Sequence, residues 1–334
     1  MNPIQPITIP PREINVVEPI SPALERVKRV LFQPFDLGKW FVIGFCAWLA
    51  FLGEGGGFNF HVPGGGGRHG YGGENLRHEF EHAKDFVLNN LGWIGPLVAA
   101  VVVIGLGLWL LFLWLNSRGK FMFLHCVALD QAEVSRPWCQ FAPEGNSLFL
   151  FRLGLGLIGW VLTLPLVALI VMMIFRMVQR GEPDVGGILG AVGLGLGLIG
   201  VAMVFAIIHK LTTDFVVPIM FLRRIRCLKA WRELWGLLSA DAGQFILYFL
   251  FSIVLAMAIG LMVMMVMFAT CCCCCLMLLP YVGTVLLLPV LMFKRCYSLC
   301  FLAQFGPEYD VFPPPPPAPQ SPGLPPMPVA PPVM

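Results

Sequence analysis

Charge is what this chain has least of. Its 334 residues include 22 Lys and Arg and 19 Asp and Glu, 12% in all, about half the share of a soluble domain. A composition that is 57% hydrophobic leaves two soluble domains of this total length with too little polar surface, so a soluble fold is excluded. The net charge of +3 is small and scattered, which excludes a nucleic-acid partner. A cleavable-signal pattern is also lacking: "MNPIQPITIPPREINVVEPISP" is polar and proline-rich, without an apolar core. Cysteine pairs at ligand spacing are lacking too. Five of the 11 cysteines are consecutive, Cys271–Cys275, and on a helix they point around the whole circumference instead of converging on one ion.

What the chain has instead is long apolar runs. A spanning helix needs about 20 apolar residues, and stretches 91–115, 153–175, 185–208, 245–268 and 276–293 meet or approach that. A sixth, 40–52, is short, but Lys39 can snorkel at one end and glycines follow at the other. None of the six contains Asp, Glu, Lys, Arg or His. With these spans, 17 of the 22 Lys and Arg fall on one side and 5 on the other. The positive-inside bias then places both termini in the cytoplasm. The expected fold is all-α, a six-span transmembrane bundle of the cell membrane. Residues 1–21 are expected to be a disordered lead and 22–310 the membrane domain. "GEGGGFNFHVPGGGGRHGYGG" (53–73) reads as a flexible external loop. Residues 311–334 read as a cytoplasmic proline-rich tail, extended and able to offer a polyproline-II segment to a protein partner.

The exits from the even-numbered spans are alike: "GKFMFLHCVALD", "VPIMFLRRIRCLKAW" and "PVLMFKRCYSLCFLAQF". Each has Met-Phe (122–123, 220–221, 292–293), then a cationic or histidine residue, then a cysteine (126, 227, 296). Each odd span has a Trp-bearing approach. Three helical hairpins, each led in by a cytoplasmic interfacial helix, account for this pattern. Interface chemistry that favours Trp, Arg and Lys accounts for it equally, without common descent. The stretches "NSRGKFMFLHCVALDQ", "EGNSLFLFRL", "DFVVPIMFLRRIRCLKAWRELW" and "LPYVGTVLLLPVLMFKRCYSLCFLAQFGPEYD" resemble an uncharacterised family of bacterial polytopic membrane proteins. That family is similar in style to the membrane domain attached to some glycerophosphodiester phosphodiesterases. The resemblance covers roughly residues 22–310 and implies no activity, because the catalytic barrel has no counterpart here.

Four motifs need weighing. "GLGLIG" at 154–159 and 195–200 satisfies a dinucleotide fingerprint but lies inside apolar runs, where no strand precedes it. Gly186, Gly190, Gly193, Gly197 and Gly200 form a stripe along one helix face, a pattern that lets a neighbouring membrane helix approach closely. Arg223, Arg224, Arg226, Lys229 and Arg232 form a basic segment at the inner surface, fit for anchoring on anionic lipid or for a partner surface. "RHEFEH" (77–82) is a literal HExxH: His78 and His82 could share zinc, with Glu79 as general base. Against zinc, Leu76, Phe80, Ala83 and Val87 make an apolar stripe, and Arg77–Glu81 and Glu81–Lys84 are helix-spaced ion pairs. That pattern describes an amphipathic helix on the outer leaflet. The expectation is therefore no metal, no cofactor and no enzyme, but a membrane protein that organises lipids or partners. A transporter or channel for an uncharged or lipid-like substrate is the alternative. For Cys271–Cys275 the expectation is an apolar turn, free Cys behaving as a small hydrophobe.

Overall fold

The computed structural model describes residues 14–53, 91–180, 185–269 and 280–312. All of the regular structure among them is helical. In chain order the helices are α1 (Ile20–Phe32), α2 (Leu37–Phe51), α3 (Leu91–Leu129), α4 (Ser135–Gln140), α5 (Ala142–Arg180) and α6 (Val185–Leu211). A π turn, Thr212–Val216, joins α6 to α7 (Val217–Arg223). Then come α8 (Cys227–Ala240), α9 (Ala242–Ala269), α10 (Pro280–Leu286) and α11 (Leu288–Ala303), with a last 3-10 turn at Pro307–Tyr309.

Four helices are long and apolar enough to cross a membrane: Gly95–Leu129, Ala142–Met177, Leu189–Arg223 and Ala242–Val266. In the first three the most apolar window is 0% buried within the chain, and in the fourth 6%. Such surface is stable only against lipid. The 39 residues of α3 run about 58 Å at 1.5 Å per residue, nearly twice a bilayer core of about 30 Å. The helix therefore does not stop where its apolar run stops, and Asn116–Leu129 continues as one wall of a packed core.

That core lies at one end of the long helices. Its buried members come from the last turns of α3 (Phe121, Leu124, Val127), from the π turn and α7 (Phe215, Ile219) and from α11 (Leu288, Leu299, Leu302), with α1 and α2 packed around them. The three recurrent exits all end here. Met122, Met220 and Met292, and Cys126, Cys227 and Cys296, are each at most 1% exposed. The lead-in helices are amphipathic: α1 buries Ala23, Val27, Val30 and Leu31, and α8 buries Cys227, Ala230 and Leu234.

The two shorter apolar stretches take other forms. Stretch 40–52 becomes α2, 15 residues capped by the Asp36 carboxylate, which accepts from the Gly38 N–H at 2.8 Å. It runs antiparallel to the second half of α3. Lys39 Nζ meets Asp130 at 2.7 Å, and Asn116 Nδ2 donates to the carbonyls of Ala50 and Leu52. Stretch 276–293 is described from Pro280 onward as two helices that break at Leu287, with Pro289 in the first turn of α11 where its missing N–H costs nothing.

Candidate functional site

The basic segment divides into two parts. Arg223 Nε pairs with Glu233 at 2.7 Å, and its Nη2 reaches Glu308 at 3.0 Å. Arg224 takes the left-handed conformation (φ 53) that ends α7. It donates to the Gln140 carbonyl, lies 3.7 Å from Glu144 and stacks 3.8 Å over the Phe141 ring. Both arginines therefore tie α7 to its neighbours. Arg226, Lys229 and Arg232 are exposed, and none pairs with a carboxylate among the described residues. On the same helix Leu228 is 72% exposed and Trp235 64% exposed. At 100° per residue, Leu228, Arg232 and Trp235 share one face, while Cys227, Ala230 and Leu234 hold the helix to the core. Burial pushes the Cys227 thiol up to about 12, so it is an inert packing group.

The glycine stripe meets little of its own chain. A Cβ at Gly190 would strike the end of the Met173 side chain, while Gly193, Gly197 and Gly200 have nothing of the described chain within 4 Å. Gly186 is exposed. Close backbone approach occurs elsewhere. A Cβ at Gly119 would lie 2.5 Å from the Leu49 carbonyl carbon and 2.6 Å from Ala50 N, and one at Gly44 would lie 2.6 Å from Val285 Cγ2. The HExxH residues His78, Glu79 and His82 lie outside the described residues, as do Cys271–Cys275.

A polar belt that sequence reasoning missed lies beneath the apolar runs, centred on the π turn. Lys120 Nζ donates to Thr213 Oγ1 at 2.6 Å, and Arg295 Nη1 donates to the Thr213 carbonyl at 2.5 Å. Asp214 Oδ2 accepts from Lys210 Nζ at 2.7 Å and from the Tyr248 hydroxyl at 3.0 Å. Arg152 bridges the Asn116 side-chain oxygen and His209 Nε2. In the π turn the Val217 N–H donates to the Thr212 carbonyl; a turn opened in this way leaves side chains and carbonyls free for partners outside the helix. Burial, partly offset by Asp214, pulls the Arg295 guanidinium down to about 10, so it remains a cation at neutral pH. Burial and then the Lys210 ammonium lower the Lys294 amine.

The signal for this belt was present in the sequence. Asn116 and Lys120, and Lys210 and Asp214, are spaced i, i+4 across the ends of apolar runs, so they continue a helix face and do not begin a loop. Chemically, the belt offers cations and hydrogen-bond donors at the level where the apolar surface ends. No metal-binding cluster of His, Cys, Asp and Glu occurs among the described residues.

Comparison with known proteins returns no match among curated proteins or solved structures, and no link to a glycerophosphodiester phosphodiesterase. One family does match, over residues 14–287, most of the chain. The chain belongs to DUF7544, a family of unknown function.

Proposed function

We propose that this chain is a non-enzymatic, six-span membrane protein with both termini cytoplasmic, whose inner face gathers anionic lipid through α8. The observation that carries this reading is the outward face of α8, where exposed Leu228 and Trp235 flank Arg232, with Lys229 at its edge and exposed Arg226 just ahead of the helix. An apolar pair framed by cations fits a headgroup boundary, with the indole in the interface and the charges on lipid phosphates. Each cation near an anionic surface contributes about 1 kcal/mol, so three together suffice to enrich anionic lipid. The proline-rich tail, 311–334, offers a second attachment, to a protein partner.

The test is the lipid that accompanies the purified full chain. Wild type extracted from a mixed phosphatidylglycerol–phosphatidylcholine membrane should be enriched in phosphatidylglycerol. The triple variant Arg226→Gln, Lys229→Gln, Arg232→Gln should lose most of that enrichment, on the order of tenfold or more. Unchanged enrichment in the triple variant would sink the reading. A transporter for an uncharged or lipid-like substrate is the second reading, and what favours it is the polar belt, because ionisable groups on helices that continue from apolar runs commonly mark a transport path.

A further inference from the structure

Arg295 poses a problem of charge balance. It is only 8% exposed, the acceptor it reaches is the neutral Thr213 carbonyl, and its Nη2 is buried without a partner. A buried cation left in that state is unfavourable, and a buried orphan of this kind calls for a missing ion or water. The nearby Asp214 carboxylate offsets part of the charge but makes no hydrogen bond to Nη2, and its Oδ2 already accepts from Lys210 and Tyr248. The surroundings are cationic: Lys120 ends on the same Thr213, and Lys294 lies close enough to feel both Lys210 and Asp214. The cluster is open on one side, where the Lys210 side chain is 37% exposed.

We infer that Arg295, with Lys294 and Lys210 at the rim, binds a phosphate-type oxyanion at the inner end of the spans. Three features select phosphate chemistry. The guanidinium fork matches two oxygens of one phosphate, and a tetrahedral anion has further oxygens for an ammonium. Arg295 also follows the last apolar stretch by two residues, at the depth where lipid phosphates lie. The same chemistry is supplied by a phospholipid headgroup or by a soluble phosphate. The site extends the lipid-engaging reading to a second place and does not depend on α8.

The experiment uses the full chain in maltoside micelles, with thermal unfolding as readout. Three additions are compared: phosphatidylglycerol, diacylglycerol (the same acyl chains without phosphate), and inorganic phosphate against chloride at equal ionic strength. Stabilisation by phosphatidylglycerol alone assigns the site to a lipid headgroup; stabilisation by inorganic phosphate assigns it to a soluble anion. Arg295→Gln should weaken the effective addition by about tenfold or more, Arg295→Lys by less, because it keeps the charge and loses the fork. In the α8 triple-variant background Arg295→Gln should still weaken the response by the same factor, which separates this site from the α8 surface. If diacylglycerol stabilises wild type as well as phosphatidylglycerol does and inorganic phosphate does nothing, the inference is overturned, with water only at Nη2. Should Arg295→Gln not fold, Arg295→Lys and Lys294→Gln carry the comparison, and an unaltered response in both overturns the site.

Discussion

Gly119 and Gly197 both sit on apolar helices, yet their surroundings differ in kind. At Gly119 the backbone of α2 crosses so closely that a methyl group would overlap Leu49 and Ala50, atoms that cannot swing aside as a side-chain tip can. Gly119→Ala should therefore destabilise the chain by about 1–3 kcal/mol through overpacking, read as a lower unfolding temperature in neutral detergent. Gly197 has open space around it, and alanine there should be neutral or stabilising by about 0.5–1 kcal/mol, because it restricts the unfolded helix. Equal losses at both positions would show that backbone approach is not what α2 requires of α3. Small-residue spacing alone pointed to the stripe from Gly186 to Gly200. Which helix crosses which glycine is decided by the tertiary path, and a single sequence does not contain it. The polar residues obey the same logic. Asn116 is buried because two α2 carbonyls, Ala50 and Leu52, end beside it and need a donor.

At the scale of elements, the apolar runs marked where the long helices lie but not how far they extend. α5 opens at Ala142, well ahead of its apolar run at 153, and α3 continues past its run to Leu129. Those extensions were lost because apolar counting halts at the first polar side chain, while backbone hydrogen bonding continues past it on either side. The belt of Lys120, Arg152, Lys210 and Asp214 falls in that overrun. Its central pairing can be tested directly. Tyr248→Phe removes one hydrogen bond to Asp214 and should cost about 0.5–1.5 kcal/mol. Asp214→Asn removes the charge facing Lys210 and weakens the same bond, and should cost more. In a double-mutant cycle of unfolding free energies the two losses should fall short of additivity, since both act on Asp214 Oδ2. Strict additivity would mean that the hydroxyl and the carboxylate do not meet in the folded chain. The lead-in helices α1 and α8 were also legible, by their amphipathic spacing. α4 is only six residues long, too short for a periodic signal.

For the whole molecule, three contacts decide how the chain threads a membrane. Lys39 pairs with Asp130, Arg152 reaches His209, and Tyr248 stacks on Tyr297 at 5.6 Å. Each joins the start of an excursion through apolar helix to its return, so each excursion leaves the core end and comes back to it. Four helices on these excursions are long and apolar enough to cross. α2, at about 22 Å, is shorter than the bilayer core and packs along the second half of α3, so six crossings are a proposal that reporter fusions test. The ends are tied as well: the Tyr297 hydroxyl donates to the Val16 carbonyl, and Gln304 exchanges hydrogen bonds with Asn15. These bonds support a topology in which the N-terminal lead and the end of α11 share one side of the membrane. Reporters fused after residues 30, 140, 235 and 312 should all read cytoplasmic, and reporters near 65 and 183 external, following the excess of Lys and Arg. All six signals inverted would reverse the orientation and leave the three excursions intact. Opposite signals at 30 and 312 are the outcome the packing forbids. They would separate α1 from α11 across the bilayer, break the Val16–Tyr297 bond and remove the common core on which the proposed topology rests.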